Sequence, residues 1–161
     1  MEVTVTFFNA IRLGDLATIE TLLSNQPNLL KVRDQRGSTP LILATYYNHL
    51  DIVKLLLKRG AKVDEKDASG NTALMGVCFK GYEAIAKLLI EHGGNVNATN
   101  AMGASSLIYA TTFNQLQLAK LLLAHNADPA HKDARGQTAL DHAKMQGAQP
   151  LIELLENHQA L

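Results

Sequence analysis

Apolar residues fall in short clusters that return at a fixed interval. From residue 34 to 66 the order is a polar turn, Asp34-Gln35-Arg36-Gly37, then an apolar stretch from Leu41 to Tyr47, then another from Leu50 to Leu57. The turn carries a glycine suited to a positive φ. Thr39 reads as an N-cap, and Pro40 fits the first turn of a helix, where its missing N–H costs nothing. The pattern predicts a short first helix over Leu41 to Tyr47, ended by Asn48, which tolerates the left-handed conformation. Leu50, Ile52, Val53, Leu55, Leu56 and Leu57 predict a second helix with a wide apolar face, stopped by Gly60. Ala61-Lys62-Val63-Asp64 then leads to the next turn.

The same series recurs. Gly37, Gly70, Gly103 and Gly136 are each 33 residues from the last. Leu41, Leu74, Leu107 and Leu140 keep that register, as do Thr39, Thr72, Ser105 and Thr138, and Asp34, Asp67, Asn100 and Asp133. The pairs Leu55-Leu56, Leu88-Leu89, Leu121-Leu122 and Leu154-Leu155 follow it too. One helix pair cannot bury its apolar face alone, but stacked pairs form a continuous core. The first cycle lacks the turn signature yet keeps the helices, with Phe7, Phe8, Ala10 and Ile11 on one and Leu16, Ile19, Leu22 and Leu23 on the other. In the last cycle the second helix, predicted over Pro150 to Asn157, carries Glu153, Glu156 and Asn157, the polar outer face a terminal repeat needs.

The columns Asp-x-x-Gly-x-Thr-Pro-Leu, an Asn-His, Gly-Tyr or Asn-Gln pair, and Val-x-x-Leu-Leu-x-x-Gly-Ala-x-Val-Asn resemble the ankyrin repeat over nearly the whole chain. Residues 34 to 66 match best, through Thr39-Pro40-Leu41, Asn48-His49, Ile52-Val53, Leu55-Leu56 and Gly60-Ala61. Residues 67 to 99 keep Thr72-Ala73-Leu74, Gly81, Gly93 and Val96-Asn97. The family's Thr-Pro-Leu-His histidine is absent, with Ile42, Met75, Ile108 and Asp141 in its place. Proline survives only at Pro40, Ser105-Ser106-Leu107 opens the fourth repeat, and Asn126 stands where the family has Gly. The resemblance implies an all-α solenoid of stacked antiparallel helix pairs joined by hairpin-like turns. It forms a single domain over residues 1–161, with repeats at about 1–33, 34–66, 67–99, 100–132 and 133–161.

Composition narrows the partners. Hydrophobic residues make up 47% and charged residues 19% of the chain, which suits a folded protein rather than a disordered one. Fifteen Lys and Arg balance fifteen acids. Nucleic acid and anionic membranes both want a cationic surface, so neither is expected as a partner. No apolar run is long enough to span a membrane, and Met1 to Phe8 has no signal-peptide character. The single cysteine, Cys78, allows no internal disulfide, which fits a reducing compartment, cytoplasmic by default.

No catalytic, cofactor or metal constellation stands out. His92, His125 and His158 are 33 apart and fall, with Arg59, in the last turn of successive second helices, where the helix dipole favours cations. Cys78 takes an alanine-like place facing neighbouring helices and reads as an inert small hydrophobe. Gly93-Gly94 lacks the Lys-Ser/Thr of a phosphate loop.

The resemblance implies that a partner docks on the concave face built by the turn tips and the first helices. Tip positions there include Arg36, Met102 and Arg135; positions near the ends of the first helices include Leu13, Tyr46, Tyr47, Phe79, Lys80, Phe113 and Met145. Half of the eight Phe and Tyr residues fall in this set, and the chain has no Trp. Exposed aromatics give large contact area at low entropic cost and dominate binding hot spots. About one ring in three is expected to lean on the neighbouring repeat as well, since amphipathic rings do both. The expected function is a non-catalytic scaffold, a monomer that binds one protein partner one-to-one. An inhibitor or immunity-type antidote that blocks a partner enzyme's active site is the specific alternative. Small-molecule binding in the aromatic groove is disfavoured, because no convergent acid–base pair lines it.

Overall fold

The computed structural model describes residues 2–159. Five helix pairs follow one another: α1 (Glu2–Leu13) with α2 (Leu16–Asn25), α3 (Pro40–Tyr46) with α4 (Leu50–Lys58), α5 (Ala73–Lys80) with α6 (Glu83–Glu91), α7 (Ser106–Thr112) with α8 (Leu116–Ala124), and α9 (Ala139–Gln146) with α10 (Gln149–Gln159). The odd-numbered helices pack side by side as one layer and the even-numbered ones as a second, each pair docking on the pair before it and the pair after. Three features differ from the sequence pattern, one being the last helix, predicted over Pro150 to Asn157 and formed over Gln149–Gln159. A 3₁₀ turn over Pro27–Lys31 fills the first interval where later cycles have a plain loop. The helix predicted over Leu41 to Tyr47 begins at Pro40 and yields Tyr47 to the cap.

Each first helix after α1 is started by a hydroxyl. Thr39 Oγ1 accepts the Ile42 N–H at 3.2 Å, and Thr72, Ser105 and Thr138 do the same for Met75, Ile108 and Asp141. At Thr138 the carboxylate of Asp141 reaches back to the Thr138 N–H at 2.9 Å, completing a capping box. Asn48 and Asn114 leave the first helices in the left-handed region, with φ of 62° and 55°.

The core follows the leucine columns. Leu41, Leu74 and Leu107 are 2%, 3% and 1% exposed, while Leu140 is half-buried in the last pair. In each leucine doublet the second member (Leu56, Leu89, Leu122, Leu155) is fully buried, and the first lies half-buried at the layer's edge. Each such burial is worth roughly 1.5–3 kcal/mol over exposure. Cys78 joins this core, and burial pushes its thiol up to about 12, so it is no nucleophile.

The turns form a second stack. Asp34 Oδ1 accepts the N–H groups of Arg36 and Ser38 at 2.9 Å, and Asp67 and Asp133 fold their turns likewise. Successive tips then bond directly: the N–H groups of Ala68, Ala101 and Ala134 donate to the carbonyls of Arg36, Ser69 and Met102 at 3.0–3.1 Å. The approach is so close that a Cβ on Gly70 would lie 2.9 Å from the Ala101 nitrogen. A Cβ on Gly136, with no described turn beyond it, would meet nothing.

Candidate protein-docking groove

A groove of about 1240 Å³ crosses the exposed faces of α1, α3, α5 and α7 and is edged by the first turns. Its placement follows from the helix register: the face of each first helix opposite its buried leucine points away from the second layer. Tyr46, Tyr47, Phe79 and Phe113 stand along one wall, each 39–42% exposed. None of the four is a free surface ring. Phe113 meets Phe79 edge-on at 4.5 Å between centroids and stacks on Tyr109 at 5.9 Å; Tyr46 and Tyr47 form another edge pair at 5.3 Å. Lys80 Nζ lies 4.4 Å over the Tyr46 ring. The sequence pattern anticipated that one ring in three leans on the neighbouring repeat; Phe79 and Phe113, from successive repeats, lean on each other, while Tyr46 and Tyr47 pair within one repeat.

Side chains from the following repeat hold the wall in place. His49 Nε2 reaches the carbonyl of Arg12 at 3.0 Å, and Gln146 Nε2 donates to the carbonyls of Thr111 and Thr112 at 3.1 and 2.6 Å. The Arg12 and Thr112 carbonyls lie in the last turn, where the helix supplies no partner of its own. The ends of α1 and α7, the second beside Phe113, are therefore tied to the repeat that follows.

Of the residues singled out in the sequence, Arg36, Tyr46, Tyr47, Phe79 and Phe113 line the groove, and Lys80 sits at its edge over Tyr46. Leu13, Met102, Arg135 and Met145 are exposed but lie outside it. Met145 instead accepts a contact from Gln137 Nε2 at 3.3 Å.

Several groove residues escaped the sequence reading. Leu43, Gly76 and Tyr109 share one register position on successive first helices, and all three line the floor. Tyr109 is held from below. Asn100 Nδ2 donates to its hydroxyl at 2.9 Å, and that hydroxyl donates to Asn71 Oδ1 at 3.2 Å. Asn100 replaces the aspartate of the other turns, and its Oδ1 still accepts the turn's N–H groups from Met102 and Ala104. The amide therefore adds a donor that a carboxylate lacks. One repeat on, His142 Nε2 meets Asp133 Oδ2 at 2.8 Å in the same arrangement. Burial pushes the Asp133 carboxyl up, but the His142 bond and the N–H groups of Gln137 and Arg135 more than offset this, so it lies below the ordinary 3.8.

The other histidine column is occupied with its own helices. Nδ1 of His92 and of His125 meets the carbonyl four residues back, at 2.9 and 3.0 Å. Among the described residues no group of three or more His, Cys, Asp or Glu is set to hold a metal, and no helix is long and apolar enough to cross a membrane.

The 33-residue repeats have counterparts among known proteins. The family described as ankyrin repeats (3 copies) matches residues 7–100 and 62–133. The fowlpox virus (strain NVSL) ankyrin repeat protein FPV240 is 40% identical over 55 residues, covering 34% of this chain and 13% of that protein. The mouse (Mus musculus) ankyrin repeat and SAM domain-containing protein 6 is 35% identical over 59 residues, covering 37% of this chain and 7% of that protein. The chain thus matches only a small part of each relative's length. With 33-residue columns, stacked helix pairs and the family match all in agreement, the chain belongs to the ankyrin-repeat family.

Proposed function

We propose that this protein is a non-catalytic scaffold that binds one other protein through the groove on its first-helix face, acting as a monomeric five-repeat unit. The observation that carries the reading is the row of four half-exposed aromatic rings, Tyr46, Tyr47, Phe79 and Phe113, along one wall of an open groove. Rings of this kind, already ordered by edge and stacking contacts, lose little freedom on binding and offer their exposed faces as a hot spot. The wall is apolar at its centre, with Arg12, Arg36 and Lys80 around it, the layout of an interface core with a polar rim.

The test is affinity capture from the source cell's lysate with two baits, the natural protein and a variant with all four rings changed to Ala. Circular dichroism checks that both are folded. The expected result is a protein retained by the natural bait alone, at one-to-one stoichiometry in analytical ultracentrifugation. Equal retention by both baits would refute docking at this wall. If the captured protein is an enzyme, titrating its activity with the natural protein tests the inhibitor alternative directly.

A further inference from the structure

We infer that the groove is built for an acidic, extended segment of the partner whose large apolar side chain seats over Gly76. The inference rests on the proposal that this groove is the docking face and adds what fills it. Gly76 sits inside α5 on the groove floor. Leu43 and Tyr109 flank it at the same register on α3 and α7. A Cβ built on Gly76 meets nothing within 4 Å, and its backbone is ordinary helix. Glycine there serves neither a positive φ nor a close backbone approach. It costs the helix roughly 0.5–1 kcal/mol relative to Ala. What it does leave is a notch in the row of floor side chains, open where Leu43 and Tyr109 fill the same register. Phe79 stands one turn along the same helix, with Phe113 edge-on against it, so the notch has an aromatic end wall.

Charge selects the occupant. Among the described residues the ion pairs are Arg33–Glu65 and Asp133–His142. Arg12, Arg36 and Lys80 therefore have no carboxylate partner at the groove. The two acids that line it, Asp34 and Asp67, each turn Oδ1 inward onto two backbone N–H groups of their own turns. Three cations, Arg12, Arg36 and Lys80, stand against these two carboxylates around an apolar floor, and this cationic excess matches carboxylates flanking an apolar anchor.

The notch allows a test in which folding and binding move in opposite directions. Random peptides of about 12 residues, which reach about 40 Å when extended, are displayed on phage and selected against the natural protein. Enriched peptides are then labelled and titrated by fluorescence anisotropy against the natural protein, Gly76→Ala, Gly76→Leu and the four-ring Ala variant. The expected consensus carries Asp or Glu on both sides of one large apolar residue. Gly76→Leu should raise the melting temperature yet weaken binding by at least about tenfold, as filling an anchor's pocket does. Gly76→Ala should weaken binding less while also stabilising the fold. Raised salt should weaken it as well, since exposed charges are screened. Peptides that lose binding to the four-ring variant but not to Gly76→Leu would overturn the notch while leaving the docking wall standing. Peptides indifferent to both variants would overturn the notch and the wall together. A basic or uncharged consensus, or no enrichment at all, would overturn the acidic segment even if a folded partner still needs the rings.

Discussion

The stacking of turn tips makes an unequal prediction for two equivalent glycines. Gly70 and Gly136 occupy the same place in their turns, with φ of 80° and 76°. Alanine at either must adopt the left-handed region, at about 1–2 kcal/mol, partly offset by about 0.4–1 kcal/mol because alanine loses less freedom on folding. That leaves a net loss of about 0.5–1 kcal/mol for Gly136→Ala, where the new Cβ meets nothing. At Gly70 the Cβ would lie 2.9 Å from the Ala101 nitrogen and 3.2 Å from the Asn100 Cα, both backbone atoms that cannot swing aside. The next turn has to move. The Ala101 N–H bond to the Ser69 carbonyl, 3.1 Å long, lies directly in the path of that movement. Its loss adds about 0.5–1.5 kcal/mol, so Gly70→Ala should cost about 2 kcal/mol in all. For a chain of this size the gap between the variants is about 2–4 °C in melting temperature per kcal/mol. Urea unfolding followed by circular dichroism, with unchanged slope, reads both. A Gly136 variant destabilised as much as the Gly70 variant would show that turn-to-turn contact contributes nothing, and the reasoning would fail.

Other expectations follow from the core and from the titrating groups. Leu74→Ala and Leu107→Ala should each cost about 2–5 kcal/mol in urea unfolding, and half-buried Leu140→Ala clearly less; equal losses at all three would contradict the burial gradient. Ser106 begins α7, fully buried, and its hydroxyl has no hydrogen-bond partner. Ser106→Ala should therefore stabilise the protein by about 1 kcal/mol, and a loss of stability would mean that the hydroxyl is bonded after all. Asp15, Asp133 and Asp141 all lie below the ordinary 3.8: at Asp15 through bonds from Thr18, at Asp141 through bonds from Thr138, and at Asp133 through His142 and its turn against the pull of burial. A depressed folded value means their contribution is complete above pH 3.8 and is lost as the pH falls below it. The urea midpoint should drop as the pH falls from about 4 through about 3 and below, and changing all three to Asn should flatten that drop; an undiminished drop would place the effect elsewhere.

The fold was legible because each repeat writes the same instructions in the same register. Thr39, Thr72, Ser105 and Thr138 cap, Asn48 turns, and the second leucine of each doublet goes inside; every one of these is a local rule repeated. The groove was legible only in part. Tyr46, Tyr47, Phe79 and Phe113 stand out because they are present where a small or polar residue would serve. Gly76 is informative through what it lacks, and a lone glycine in a helical pattern reads merely as a weak helix former. Tyr109 carries no such signal, because one of the partners that hold it, Asn71, comes from the turn of the preceding repeat. The lean of one ring on the next likewise depends on tertiary approach. The 3₁₀ turn at Pro27–Lys31 was missed because the first cycle departs from the repeat that made the others readable.

The docking of each helix pair on its immediate neighbours has a consequence for how the protein is made. Contacts between elements join segments about one repeat apart, so no early segment waits for the far end of the chain to find its partner. As synthesis proceeds, each new pair meets a finished surface and adds to it in order. The groove is lined by residues from Thr4 to Phe113 and by none beyond. Its walls are thus complete once α7 and α8 have docked, while the stretch from Asp133 onward is still being made. The fifth pair then adds no lining residue, but through Gln146 it fastens the end of α7 beside Phe113.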